Sequence, residues 1–225
     1  MQVDHLALAL AVTVRHDGNG GVADDLAEPA GLTAWVRGQG PALEEFGFSV
    51  AGEDGRGGPD RQVLFRADRA ALDAAVEVRT ALRALFARAV LPGAPSKADA
   101  GRLPDAGAAL ERLNAAAARV PVTPRLAWPA DARPVADCAA TGRHPAADLL
   151  AAALARAGIA FLAGPDSARL RACPAPRCVR YFVQAHARQE WCKPSCGNRA
   201  RVARHHARHR TPSAEGSNPP AATAG

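Results

Sequence analysis

Four of the five cysteines stand in two close pairs, Cys173-x4-Cys178 and Cys192-x3-Cys196, with thirteen residues between the pairs. Two thiol pairs joined by a short segment form the ligand set of a tetrahedral four-cysteine zinc site. Each pair comes from one turn, and the intervening chain brings the second pair back to the first. Four thiolates at about 2.3 Å saturate Zn²⁺ and leave no position for water, so one such ion is structural and not catalytic. In zinc-finger peptides that binding contributes on the order of 10–16 kcal/mol to folding. Two disulfides are the competing reading, and they belong to oxidising compartments. His186 is near enough in sequence to replace one thiol, although four thiols make that unnecessary.

The segment after the last cysteine carries charge. Asn198 and Arg199 come directly after Cys196-Gly197, and Arg199 to Arg210 contains Ala, Arg and His with one Val and no Gly or Pro. That composition predicts a helix, with Pro194 in its first turn, where the missing N–H costs little. Because Cys192 and Cys196 are four apart, one helical turn could present both thiolates to one ion. Arg201, Arg204, His205 and Arg208 fall on one face of the predicted helix. With almost no apolar stripe, such a helix is not stabilised by burial, and a polyanion is its natural partner. Asn198, Arg199, Arg201, Arg204, His205, Arg208 and Arg210 are therefore the candidate DNA contacts. Asn198 and Arg199 lie close enough to the last ligand to brace the metal instead.

The order Cys-x4-Cys, then Tyr181-Phe182-Val183, then Trp191-Cys192-x3-Cys196-Gly197-Asn198-Arg199 and a basic tail resembles the CGNR zinc finger. That finger is usually joined to an N-terminal ABATE domain, described as a stress-induced transcriptional regulator. The resemblance implies a bacterial DNA-binding regulator. Two departures stand out. The family's Leu-Asp-x-x-Asn-Thr pattern reads here Leu8, Ala9, Leu10, Ala11, Val12, Thr13, so its two polar residues are replaced by Ala9 and Val12. Inside the finger, Gln184, Ala185 and His186 stand where relatives carry Asp and Ser. Leu32, Trp35 and Val36 lie in a run resembling the Leu-x-x-Trp helix of the ABATE domain, and Leu113-Asn114 sits where relatives often carry a similar pair.

Charge is distributed to match. Residues 169–210 hold eleven Arg/Lys against one acid, Glu190, a net of +10, whereas residues 1–168 hold seventeen against twenty, a net of −3. A near-neutral body with a strongly basic end fits a sensor or interaction domain attached to a nucleic-acid-binding module. Apolar residues make up 48% but aromatics only 4%. Much of the apolar share is alanine, which favours helix and fills little volume, so the expected core is thin and helical.

The elements that must position the cysteines follow from periodicity. Residues 6–14 are a buried strand or a buried helix, which periodicity cannot decide. Residues 16–21 form a Gly-rich loop without the frame of a phosphate-binding motif. A helix runs over Ala30–Arg37. Residues 51–60 are a flexible connection, and Gln62–Arg66 is a short strand. Asp68 starts the clearest helix, with Leu72, Ala75, Val78, Leu82, Leu85 and Ala89 in one stripe, widened by Phe86 and Val90, and Arg79 and Arg83 on a solvated flank. A helix from Pro104 turns Leu110, Leu113, Ala117 and Val120 inward. Val122–Trp128 and Arg133–Ala139 form a hairpin, whose Cys138 reads as a small buried residue. Pro145 to Ala163 is a third long helix with Leu149, Leu150, Ala153, Leu154, Ala157 and Phe161 inward. The link from Asp166 to Ala172 is short, so the finger should rest against the body, with Trp191, Tyr181 and Phe182 packed around the metal.

The expected architecture is mainly α with a short β-hairpin (α+β). Residues 1–166 form a helical sensor or interaction domain, 167–210 the zinc finger with its basic helix, and 211–225 a disordered tail. One structural Zn²⁺ is the expected cofactor. DNA is the expected partner; RNA or an acidic protein is the alternative, and a small-molecule effector and a homodimer are compatible with the helical body. No run reaches about eighteen apolar residues, the length of a membrane span. Leu6–Val14 lacks the preceding Lys or Arg and the cleavage site of a signal peptide. The expected location is the cytoplasm, where thiols stay reduced. No G-x-S-x-G, H-E-x-x-H or paired carboxylates occur, so a binding protein is expected and not an enzyme.

Overall fold

In the computed structural model, residues 5–19, 21–52, 63–99 and 101–209 are described, without the side chains of 51, 52, 63 and 137–139. The ambiguous apolar start resolves as a helix, α1 (Leu6–Ala11), whose Leu6, Ala7, Leu10 and Ala11 are buried. An antiparallel ribbon follows, β1 (Val14–His16) with β2 (Val22–Asp24), so the Gly-rich loop is its turn. Two helices, α2 (Pro29–Gly38) and α3 (Gly40–Glu44), lead to a two-residue pairing of β3 (Ala51–Gly52) with β4 (Val63–Leu64). Most of the connection expected over 51–60 lies outside the described residues.

Three long helices make the core. They are α4 (Arg69–Ala89), α5 (Ala106–Ala118) and α6 (Ala146–Ala163), packed pairwise, with α1 against α4 and α6. Asp68 and Asp105 cap α4 and α5 by accepting the N–H of Ala71 and Ala108, which satisfies donors that a helix start leaves free. An alanine-rich sequence can close such a core only by bringing backbones near each other. Gly158 of α6 does this: a Cβ there would lie 2.5 Å from Leu82 Cδ2 and 3.4 Å from Leu113 Cδ1. By length and composition α6 could also cross a membrane, with mean hydropathy 1.7 over 18 residues despite Asp148 and Arg156. In the fold it is a core helix, burying Leu150, Ala151 to Ala155, Ala157, Gly158 and Phe161.

The predicted stripes hold with local exceptions. Ala89 and Leu110 are exposed, Leu149 and Ala117 are half-buried, and Leu113 and Val120 are buried. Trp35 is half-buried against the main core. The hairpin forms from β5 (Val122–Ala127) and β6 (Val135–Ala140), with Leu126, Trp128 and Val135 exposed. The burial expected of Cys138 lies outside the described side chains.

The main correction concerns Arg79 and Arg83, which are buried and not solvated, at 5% and 3% exposure. Arg79 donates to both Asp24 oxygens at 2.5 and 2.7 Å and to Thr13 Oγ1 at 3.0 Å. Arg83 donates to Asp99 Oδ1 at 2.7 Å, to the Ala11 carbonyl at 2.6 Å and to Ser96 Oγ at 3.1 Å. A charge leaves water only when paired and hydrogen-bonded. The partners come from β2, α1 and the loop after α4, which periodicity along α4 cannot reveal.

After α6, a 3-10 turn (Pro165–Arg169) leads into β7 (Leu170–Ala172), which pairs antiparallel with β8 (Tyr181–Val183). The last element is α7 (Pro194–His209).

Candidate metal centre

The two-stranded ribbon β7–β8 holds the first cysteine pair. Cys173 follows β7 and donates its N–H to the Arg180 carbonyl, continuing the ladder. The loop to Cys178 turns through Arg177, whose φ of 62° places it in the left-handed region. Cys178 N–H then donates to the Ala175 carbonyl. The second pair spans the start of α7. Cys192 stands before the helix and Cys196 in its first turn, so the two do not share a helical turn as the spacing suggested.

These turns bring the four sulfurs together. All four Sγ atoms lie within 4.8 Å of one another. Cys178 to Cys192 is 3.7 Å and Cys192 to Cys196 is 3.5 Å. Four sulfurs about 2.3 Å from a central ion stand roughly 3.8 Å apart, so these separations fit a zinc tetrahedron. All four thiols are free, and the separations far exceed the S–S bond of about 2.05 Å. Cys173, Cys178 and Cys196 are buried and Cys192 is half-buried. The four cysteines can therefore hold one zinc ion, the cofactor expected from their spacing. His186 is exposed and is not among the clustered groups.

The electrostatics call for a cation. Hydrogen bonds from Cys178 and Cys192 hold the Cys173 thiol far below its ordinary value, down to about 3. Bonding to Cys173 and Cys178 pushes the Cys192 thiol strongly up. Thiols this close cannot all ionise beside one another, and a bound dication removes the conflict. Arg199 supplies part of the compensation. Its Nη2 donates to Cys196 Sγ at 3.1 Å, and the hydrogen bond to that sulfur pushes the guanidinium further toward its charged form.

The residues around the ligands have separate jobs. Phe182 and Ala175 are buried among the cysteines, and Trp191 packs on that cluster. A Cβ at Gly197 would stand 3.0 Å from Trp191 Cδ1, so a side chain there would press on the indole. Asn198 Oδ1 accepts from Arg201 one turn on. Tyr181, expected beside the metal, instead joins the core of the body. Its ring stands 5.5 Å from that of Phe86, and its hydroxyl donates to Asp99 Oδ2 at 2.6 Å. Burial, then the Asp99 carboxylate, pushes that phenol up.

The finger does rest against the body. The Val179 carbonyl accepts from Ser96 Oγ at 2.8 Å, and Lys97 Nζ donates to the Ala175 carbonyl at 2.9 Å and to that of Pro174 at 3.3 Å. Lys97 thus clamps the first knuckle from the body side.

The zinc-finger sequence model named CGNR zinc finger matches residues 169–209, which contain all four ligands. The model named ABATE, with the description "Putative stress-induced transcription regulator", matches residues 4–165. The chain belongs to the ABATE family. No curated protein matches it.

For an ABATE chain, the two replaced positions have a clear location. Ala9 and Val12 line a cleft of about 500 Å³ bounded by α1, the α2–α3 junction and the finger, together with His5, Gln39, Arg180 and Phe182. The predicted DNA contacts divide by place. Asn198 and Arg199 are held near the metal, Arg201, Arg204, His205 and Arg208 are exposed along α7, and Arg210 lies outside the described residues. Sequence reasoning missed Ser96, Lys97 and Asp99, which join body and finger. They lie in a loop without periodicity, and nothing local marks them.

Proposed function

We propose that this chain is a zinc-dependent DNA-binding transcriptional regulator in which the finger and α7 contact DNA and the helical body senses a signal or binds a partner. One observation supports this most strongly. Residues 201–209 of α7 are exposed on every side, and among the described residues Arg204 and Arg208 have neither an ion pair nor a hydrogen-bonded partner. A helix that buries only Cys196, Gly197 and Ala200 is anchored in its first two turns and has no buried residue beyond Ala200 among those described. Its cations are free to exchange condensed counterions for phosphate contacts. Arg201 is exposed as well and donates to Asn198 one turn back on the same helix.

The metal sets the geometry and the arginines supply affinity. In this reading the protein is a binding protein and not an enzyme. Fluorescence anisotropy of the zinc-loaded chain on duplex DNA, single-stranded RNA and heparin, in a salt series, tests it. Binding to duplex DNA that survives heparin competitor supports the reading. Equal affinity for all three polyanions, or preference for RNA, overturns it in favour of a general or RNA-directed module.

A further inference from the structure

A second cleft, of about 310 Å³, lies where the turn of the β1–β2 ribbon meets the finger. Arg15, His16 and Asp17 line it from the body, and Arg180, Lys193 and Arg199 from the finger. Four cations thus face one carboxylate, and Arg15 is paired outside the cleft with Asp25 at 2.5 Å. The Asp17 carboxylate is engaged by its own loop, where Oδ1 accepts the N–H of Asn19 at 2.8 Å and of Gly21 at 2.9 Å.

The pattern of hydrogen bonds is more telling than the charge. The Gly18 N–H donates to His16 Nδ1 at 2.6 Å, so that nitrogen is the acceptor and the ring proton sits on Nε2. His16 Nε2 is buried and has no partner among the described residues. Arg199 Nε, which carries a proton at any ordinary pH, is also buried and unpartnered. Native proteins rarely leave buried donors without an acceptor, and here two belong to residues that line one cationic cleft. What both lack is an acceptor, and the surrounding charge favours an anionic one. Arg180 and Lys193 make no ion pair among the described residues, so their charges are available to it.

We propose that this cleft is an oxyanion site that takes a phosphate group, with His16 Nε2–H and Arg199 Nε–H donating to its oxygens and Arg180 and Lys193 balancing its charge. Body and finger each supply half of the site, so an occupied cleft fastens the two together beside Cys178. The phosphate has two possible sources, a free phosphorylated ligand or a backbone phosphate of bound DNA. The site itself does not rest on the DNA-binding reading, because a free phosphate compound tests it without DNA.

The test is a pyrophosphate titration of the zinc-loaded full-length chain, followed by amide and imidazole NMR signals and repeated in His16→Phe and Arg180→Gln. Zinc content of one per chain checks that each variant is folded around its metal. A saturable shift of the Gly18 amide and the His16 imidazole in the parent chain is the expected result, with the Gly18 amide titration weakened at least fivefold in both variants and the His16 titration likewise in Arg180→Gln. No saturable shift, or the same shift in both variants, overturns the proposal. Duplex DNA then separates the sources. If pyrophosphate competes with DNA and the variants lower DNA affinity with a salt slope shallower by about one, the site takes a backbone phosphate. If DNA affinity is unchanged while pyrophosphate binding is lost, the site takes a free ligand.

Discussion

Two helices of this protein carry arginines at the same kind of spacing and treat them in opposite ways. On α4, Arg79 and Arg83 turn inward to Asp24 and Asp99. On α7, Arg204 and Arg208 stay in water without a protein partner among the described residues. The difference is not in the residue type. α4 has an apolar stripe that pulls the whole helix inside, and its arginines must then find acceptors or not fold there. α7 has no such stripe, and its first turn is packed in the cysteine cluster through Cys196. Of the inward arginines, Arg79 ties α4 to β2 within the body and Arg83 also reaches the Val179 carbonyl of the finger at 3.4 Å, while an outward one is left for a partner.

The largest effect expected tests the anchor of α7. Cys192→Ser, or zinc removal by chelator, should cost the finger stabilisation on the order of 10 kcal/mol. Zinc stoichiometry and proteolysis near Ala187–Lys193 would show it. An intact, protease-resistant finger without metal would mean that the contacts to the body suffice. Next comes the inward side of the comparison. Arg83→Ala leaves Asp99 charged and buried, so a loss of about 3–5 kcal/mol is expected in denaturant melts. A change below about 1 kcal/mol would place Arg83 among the spectators. Gly158→Ala, which forces Leu82 aside, should cost about 1–3 kcal/mol by the same melts.

On the outward side, Arg204→Ala with Arg208→Ala should lower duplex DNA affinity by about tenfold or more at low salt. The salt slope should become shallower by about two, with stability and zinc content unchanged. Unchanged affinity would end the assignment of α7. The smallest effect is a pH dependence. Burial acts to raise the Asp24 carboxyl, but hydrogen bonds from Arg79 and the Leu26 N–H outweigh it and hold the group below its ordinary value. Its contribution is therefore present above about pH 4 and is lost as pH falls through the lowered folded value. The melting gap between the parent and Asp24→Asn should narrow below about pH 4; because Asp24 is part-exposed, the gap should stay within about 1 kcal/mol.

Much of this was legible in the chain. The three long helices followed from apolar steps of three and four, and the hairpin from two strand-like runs around Pro129–Asp131. The cluster of four thiols able to hold zinc followed from the spacing of the cysteines. Where local signals balanced, reading failed or stayed open. Residues 6–11 are as apolar as a strand, and they became a helix because α4 and α6 offer it a helical groove. Its position next to Phe182 puts Tyr181 with the metal, yet strand alternation sends adjacent side chains to opposite faces. Phe182 faces the thiols and Tyr181 the body.

The sequence by itself determined the four-thiol cluster, the charge of the last helix and the helical class of the body, because each is written in the spacing or composition of short stretches. Only the tertiary structure decided that Arg83, Asp99 and Tyr181 meet, that Lys97 clamps a zinc knuckle, and that His16 and Arg199 line one cleft. Those pairs are separated by up to 183 residues. Their proximity depends on how α4, α6 and β8 pack, a property of the whole chain that no local window contains.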